Sequence, residues 1–277
     1  MRQTRRRPLT SLRLGGAALR AVTAVTYAVM LLPIVFVCWL SFFKNELLAF
    51  PPEGYTLRWF SQIWAQSQFA EGFATSLEVG IVAMLGGLVL GVPASLALAR
   101  HAFRGKEATA TLLTAPLIVP SIVIGTALYI FFIEVEIVTG WPLTGSIVGL
   151  ALAHILITIP WTVRLITASL LGLDPALEEA AMNLGADRWR TLLRVTLPVI
   201  RPAVVAAALF SFVVSFGNLE ISLFLVAPGT TTLPIAILQY LEWKIDPTIA
   251  AVSLVQIAII AAGMLLTNRF VKLSQVV

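Results

Sequence analysis

Residues 74–98 read ATSLEVGIVAMLGGLVLGVPASLAL, and Glu78 is the one charge in the run. A helix crossing the hydrocarbon core needs about 20 mainly apolar residues, and this run exceeds that length. It lacks the strict alternation of a barrel strand, and in lipid a helix satisfies every backbone polar group within itself. Gly86, Gly87, Gly91 and Ala94 offer a face of small residues on which another helix can approach closely. Five further runs meet the same criterion, at 21–43, 109–133, 144–163, 202–226 and 248–267. Pro93, Pro116, Pro120 and Pro160 lie in or beside these runs, where neighbouring helices can make good the lost hydrogen bonds. The expected fold class is all-α integral membrane, with six transmembrane helices.

Composition points the same way. Charged residues are 12% of the chain, against about a quarter in soluble domains. Apolar residues reach 58%, and the mean hydropathy is +0.93. Together these exclude an ordinary soluble domain. The single cysteine, Cys38, sits inside the first run and can form no internal disulfide. A pI near 9.8 would suit a nucleic-acid binder, but the basic residues cluster beside apolar runs, as membrane topology demands. No nucleic-acid partner is expected; the surrounding partner is membrane lipid.

The same clusters set orientation. Arg2, Arg5, Arg6, Arg7, Arg13 and Arg20 precede the first run, and Arg100, Arg104 and Lys106 follow the second. Arg164, Arg188, Arg190, Arg194 and Arg201 follow the fourth, and Arg269 and Lys272 the sixth. Only Lys44, Arg58 and Lys244 fall on the other side. The positive-inside rule then places both termini in the cytoplasm, and an even number of spans agrees with both sharing a side. The expected organisation is a basic cytoplasmic tail over 1–20, a membrane domain over 21–267 and a cytoplasmic tail over 268–277. The start, Thr4-Arg5-Arg6-Arg7-Pro8-Leu9, faintly resembles a twin-arginine export signal. The apolar run behind it is too long for a signal core and no clean small-x-small site follows, so a retained first span is expected.

The longest cytoplasmic connection, 174–198, reads DPALEEAAMNLGADRWRTLLRVTLP. Asp174 is a good N-cap and Pro175 a good first helical residue. Glu178 and Glu179 suit the positive end of the helix dipole. Gly185 suits the C-terminal turn. A second short helix starts at Asp187, and Pro198 is expected to stop it before the chain re-enters the membrane. The product is a small helix–turn–helix projection.

This segment resembles the cytoplasmic signature of type I ABC importer permeases: E-A-A, three residues, G, nine residues, an aliphatic, x-L-P. Here the pattern is filled by Glu179, Ala180, Ala181, Gly185, Val195, Leu197 and Pro198, with Val195 where Ile is preferred. From Ser76 to Arg269 the chain also resembles the spermidine/putrescine-type branch. The stretches that carry this are Arg104-Gly105-Lys106, Leu112 to Gly125, Ala227-Pro228-Gly229 and Leu233-Pro234. The resemblance implies a permease subunit of a binding-protein-dependent importer in a bacterial inner membrane. It implies that Glu179, Ala180, Ala181 and Gly185 form a coupling helix seated in a cleft of an ATPase subunit. The implied partners are ATPase subunits, a second permease (a paralogue in this branch) and an extracytoplasmic substrate-binding protein. The implied cargo is a polyamine or a related small amine-bearing solute. Without the resemblance, the segment reads as an amphipathic interfacial helix.

No G-x-x-x-x-G-K-[ST] run occurs; the Gly105-Lys106 pair is followed by Glu107. No cofactor is expected on this chain, and ATP and Mg²⁺ fall to the partner ATPase. A membrane-embedded enzyme is the first competing class, but HExxH, paired acidic motifs and G-x-S-x-G are missing, so no catalytic residue is assigned. A secondary transporter, the other competitor, would show internal repeats and broken helices.

Charges inside spans are expensive and mark candidate function. Glu220, near Asn218 and Ser222, is placed in the fifth span. It either lines the translocation path with Asn218, facing a cationic solute, or sits near headgroups or pairs with a companion subunit; the path is preferred. The polyamine branch carries adjacent acidic residues where this chain has Gly217 and Asn218. Glu78, Glu134 and Glu136 read as interfacial charges. His154 lies mid-span without a second metal ligand at helical spacing, so no metal site is expected. A neutral His154 bonded between helices is the preferred reading, with pore lining the alternative. Trp39, Trp141, Trp161 and Trp243 read as interface-belt residues.

Overall fold

The structure, a computed structural model, describes residues 9–46 and 50–270. In chain order these form α1 (Leu9–Leu40), α2 (Arg58–Ala65), α3 (Ser67–Arg100), α4 (Lys106–Thr114), α5 (Ser121–Thr139) and α6 (Ile147–Leu171). They continue with α7 (Pro175–Asn183), α8 (Arg188–Thr191), α9 (Leu197–Phe216), α10 (Ser222–Leu225), α11 (Leu233–Trp243) and α12 (Pro247–Phe270). Among the described residues the only extended pairing is an isolated bridge between Phe43 and Tyr55. Among the described residues six helices are long and apolar enough to cross a membrane, as the sequence predicts. Arg2, Arg5, Arg6, Arg7 and Lys272 lie outside the described residues, as do the side chains of Arg13 and Arg269.

Several boundaries differ from the sequence reading, each for a physical reason. The third span runs Ser121–Thr139, not 109–133. Its expected first half is the separate helix α4 and a 3₁₀ turn at Ala115–Leu117. Pro116 and Pro120 lack the amide protons that would let one helix run through. The fourth span extends to Leu171, so Arg164 lies within it, on an exposed face. Ile166 and Leu170 continue the buried stripe past it, and a long basic side chain can reach out from such a position.

The fifth span shows the largest difference. Pro198 does not stop the helix that begins after Asp187. A π turn, Leu192–Thr196, joins α8 to α9, and the Leu197 amide reaches the Leu192 carbonyl five residues back. That wide turn ends where Pro198 has no proton to donate, so one helical rod runs from Arg188 to Phe216. The rod then ends ten residues short of the expected 226. Glu220 therefore does not lie within the fifth span helix but in the break that follows it.

The chain divides into two compact units. Residues 1–63 and 245–255 make the first. There α1 leads into a short crossing where the Lys44 amide bonds Gly54 and the Thr56 amide bonds Phe42. Trp59, buried at the start of α2, donates its indole proton to the Phe43 carbonyl at 2.6 Å. The Arg58 guanidinium lies 4.2 Å over the Trp59 ring.

The described residues of 64–244 and 256–270 make the second unit, whose core is the packing of α3, α6 and α9. The glycine face read from the sequence is used as expected. A Cβ at Gly87 would lie 2.5 Å from Thr158 Oγ1, and one at Gly91 2.5 Å from Thr162 Cγ2. The backbones of α3 and α6 are thus close enough that only glycine fits. A polar seam along α6 bonds it to both α3 and α9. Thr158 donates to the Ala83 carbonyl at 2.9 Å, Thr162 meets Ser211 at 3.2 Å, and Ser95 reaches the Val163 carbonyl at 3.3 Å. Around it lie two apolar clusters, one holding Leu150, Ile157 and Ile221, the other Ile166, Leu170 and Ile200.

Candidate functional site

Two places in the second unit gather the residues singled out by sequence. The first is the 174–198 projection. Asp174 caps α7 by accepting the Ala176 amide at 3.0 Å, with Pro175 in the first turn, as read from the sequence. At the other end the Gly185 amide bonds Met182 and the Ala186 amide bonds Ala181. This paired closure needs a residue in left-handed geometry, and Gly185 supplies it with φ +89°. Asp187 then caps α8 by accepting the Arg190 amide at 2.8 Å.

The two adjacent glutamates of α7 part company. Glu178 turns toward the body of the unit, where Arg100 at the end of α3 approaches it at 3.1 Å. Thr196, in the π turn, donates to the same carboxylate at 2.6 Å. Sequence reasoning gave Glu178 only a dipole role. Nothing local announces a partner 78 residues away. Glu179, Ala180 and Gly185 are exposed and Ala181 half-buried. Leu184 and Trp189, 90% and 72% exposed, stand beside them as uncovered apolar groups.

The second place is the break in the fifth span. α9 ends at Phe216, and the chain turns through Gly217, Asn218, Leu219 and Glu220 before α10. Asn218 organises the turn: its Oδ1 accepts the Ile221 amide at 2.9 Å, and its carbonyl accepts the Ser222 hydroxyl at 2.9 Å. Beside the break lies a cleft of about 560 Å³ whose walls include Ile118, Pro120, Ser121, Trp161, Asn218 and Glu220. The structure therefore brings the two predicted path residues to one cavity. Glu220 is exposed and has no ion-pair partner among the described residues.

Trp161 joins them there, stacked on Phe210 at 5.7 Å between centroids, whereas sequence placed it with the interface belt. It comes from α6, and what reveals its place is the packing of α6 on α9. Glu136 also has a defined structural task. Its carboxylate accepts the Thr144 hydroxyl at 2.6 Å, and bonds the Leu143 and Thr144 amides, fastening the loop before α6. His154 is buried and bonded between helices, to Ser215 and Ser222. Among the described residues no cluster of three His, Cys, Asp or Glu is placed to hold a metal ion.

Comparison with known proteins gives this geometry a context. The family model described as "Binding-protein-dependent transport system inner membrane component" matches residues 87–275. The putrescine transport system permease protein PotI of Escherichia coli (strain K12) is 30% identical over 82% of this chain and 79% of its own length. The spermidine/putrescine transport system permease protein PotC of Haemophilus influenzae is 28% identical over 90% of this chain and 94% of its own. Among solved structures, a chain of a bacterial ABC transporter that imports the acidic polysaccharide alginate superposes with a TM-score of 0.71. It is 13% identical, over 98% of this chain and 99% of that one.

Proposed function

Because the chain belongs to the family of binding-protein-dependent transport system inner membrane components, we propose how its two sites serve such an importer. The chain is a permease subunit, multi-pass in the inner membrane. The exposed edge of α7, with Glu179, Ala180, Ala181 and Gly185, is where an ATPase subunit docks. Supporting this, the small residues and the uncovered Leu184 and Trp189 lie together, while Glu178 holds the other side of α7 to the unit. ATP and Mg²⁺ belong to that ATPase subunit, and hydrolysis is its reaction. Both termini lie on the ATPase side, as the basic residues require. A second permease, a paralogue in keeping with the branch, completes the path, and a binding protein delivers solute from outside.

One observation carries the coupling: the rod from Arg188 to Phe216. At 1.5 Å per residue it spans about 40 Å. One end is built into the projection, and the other ends at the break beside the cleft. Movement of the projection as two ATPase subunits close is thus delivered to Asn218 and Glu220 without an intervening flexible loop. The break is a feature also found in secondary transporters; the family match and the projection together support reading this one as part of an ATP-driven importer.

The solute is putrescine, spermidine or a related amine-bearing compound. The names of the relatives support this, and so does the cleft's chemistry. An unpaired carboxylate is costly in an apolar wall, and an alkylammonium offsets that cost. The Trp161 face adds a site for the same cation. Two arms of one experiment test the reading in membranes containing the full chain and its partner subunits. Deleting 174–190 abolishes copurification of the ATPase subunit and uptake of radiolabelled putrescine. Glu220→Gln keeps the assembly and lowers uptake about tenfold, the loss of one charged interaction. Retained ATPase binding after the deletion defeats the docking assignment; uptake at the native rate in Glu220→Gln removes that residue from the path.

A further inference from the structure

The break between α9 and α10 needs an account of its own. At membrane depth, non-helical backbone survives only where it is buried in protein or lines a water-filled cavity, and this break does both. Two serines flank the break: Ser215 in the last turn of α9 and Ser222 at the start of α10. Both are buried, at 3% and 0% exposure, and both meet the ring of His154 on α6, itself 1% exposed. Nδ1 lies 2.7 Å from Ser215 Oγ and Nε2 3.1 Å from Ser222 Oγ.

The proton positions follow from what each group can do. Ser222 has one hydroxyl proton, and the Asn218 carbonyl, 2.9 Å away, can only accept. With that proton given to Asn218, Ser222 receives from His154, so Nε2 carries the ring proton. Nδ1 of the neutral ring is then an acceptor, and Ser215 donates to it. The result is a directed chain: Ser215 to His154, His154 to Ser222, Ser222 to the Asn218 carbonyl. It joins the end of one half-helix to the start of the next, through a third helix, and terminates on a residue that lines the cleft.

We propose that His154 is a positioning residue: it clamps the two ends of the broken fifth span and so fixes the 217–221 turn. The ring does not line the cleft and touches no solute. It acts through Ser222 on the backbone of Asn218. The clamp itself rests only on these contacts, whereas its value for transport rests on the path reading given above.

The test separates the two. In a Cys38→Ser background, Ile221→Cys places a thiol in the turn at a side chain that is 0% exposed in the native chain. Labelling by a membrane-permeant maleimide is followed in membranes holding the full chain with its partner subunits. Loss of an interhelical bond network of this size raises exposure of the turn about tenfold, so His154→Leu increases the labelling rate by about that factor. Ser222→Ala, which removes one oxygen and leaves the ring, moves the rate in the same direction. His154→Gln, which retains an amide donor for Ser222, returns it toward the native value. A thiol introduced separately by Ser41→Cys, at a buried position far along the chain, stays unlabelled throughout. That control distinguishes a loosened turn from a general loss of fold. Unchanged labelling of the Ile221→Cys thiol in both His154→Leu and Ser222→Ala overturns the proposal, as does equal exposure of the Ser41→Cys thiol. Neither outcome depends on which solute is carried; putrescine uptake, measured in parallel, bears only on the path.

Discussion

The 174–198 projection and the 217–221 break terminate the two ends of one helical rod, yet they are held by opposite means. The projection is written in neighbouring residues. Asp174 caps a helix two residues on, Gly185 closes it, and Asp187 opens the next. The break is written across the fold: its clamp runs from Ser215 and Ser222 to His154, 61 and 68 residues away. A docking part that meets another protein gains from a shape that survives while its own unit moves. A turn beside a cleft gains from the reverse, because its geometry then changes when helices shift. The contrast matches the two roles proposed above, docking for the projection and solute path for the break.

The largest effect is expected where long-range packing alone decides. Gly87→Ala puts a Cβ 2.5 Å from Thr158 Oγ1. Overpacking of this kind costs about 3 kcal/mol, and the gain in helix propensity returns about 1 kcal/mol. Thermal unfolding of the purified chain should fall accordingly, by about 2 kcal/mol net. Combining it with Thr158→Ala, which removes the clashing oxygen, should recover most of the loss. Recovery would show that α3 and α6 are fitted to each other; additive losses would show that they are not.

Arg100→Ala tests whether the projection is as local as it looks. Arg100 and Glu178 are each about a fifth exposed, so their pairing is worth more than a surface ion pair and less than a buried one. Removing the guanidinium leaves Glu178 with Thr196 alone and should cost about 1.5 kcal/mol, below the range for a fully buried pair. Retention of the ATPase subunit should drop about tenfold. Unaltered retention would make the projection self-sufficient and sharpen the contrast with the break.

What sequence revealed follows the same division. Six spans were legible because hydropathy is a sum over one run, and the caps of α7 because they are local chemistry. Glu179, Ala180, Ala181 and Gly185 were singled out through spacing, and the docking role proposed for them rests on that pattern. The end of the fifth span was misplaced because Leu219, Ile221, Leu223 and Leu225 keep the run apolar through the break. Asn218 signals the turn only once its side chain is seen to accept the Ile221 amide. The contacts of Glu178 with Arg100 and of Trp161 with Phe210 were not legible because these partners sit in other helices. The third span was started too early for the converse reason: proline punctuation at 116 and 120 outweighed continuous hydropathy.

Gly185 offers the smallest and cleanest test of the local side. A Cβ at this position meets nothing within 4 Å, so substitution alters backbone preference alone. With φ at +89°, alanine should cost about 1 kcal/mol, the steric penalty of the left-handed region. Asparagine tolerates that region better and should recover roughly half of the loss. Measured as retention of the ATPase subunit, Gly185→Ala should therefore fall between the native chain and Arg100→Ala, with Gly185→Asn above it. If Ala and Asn behave alike, the ATPase subunit reads the missing side chain itself and not the turn that glycine permits, and the projection's shape is then set as much by its partner as by its own residues.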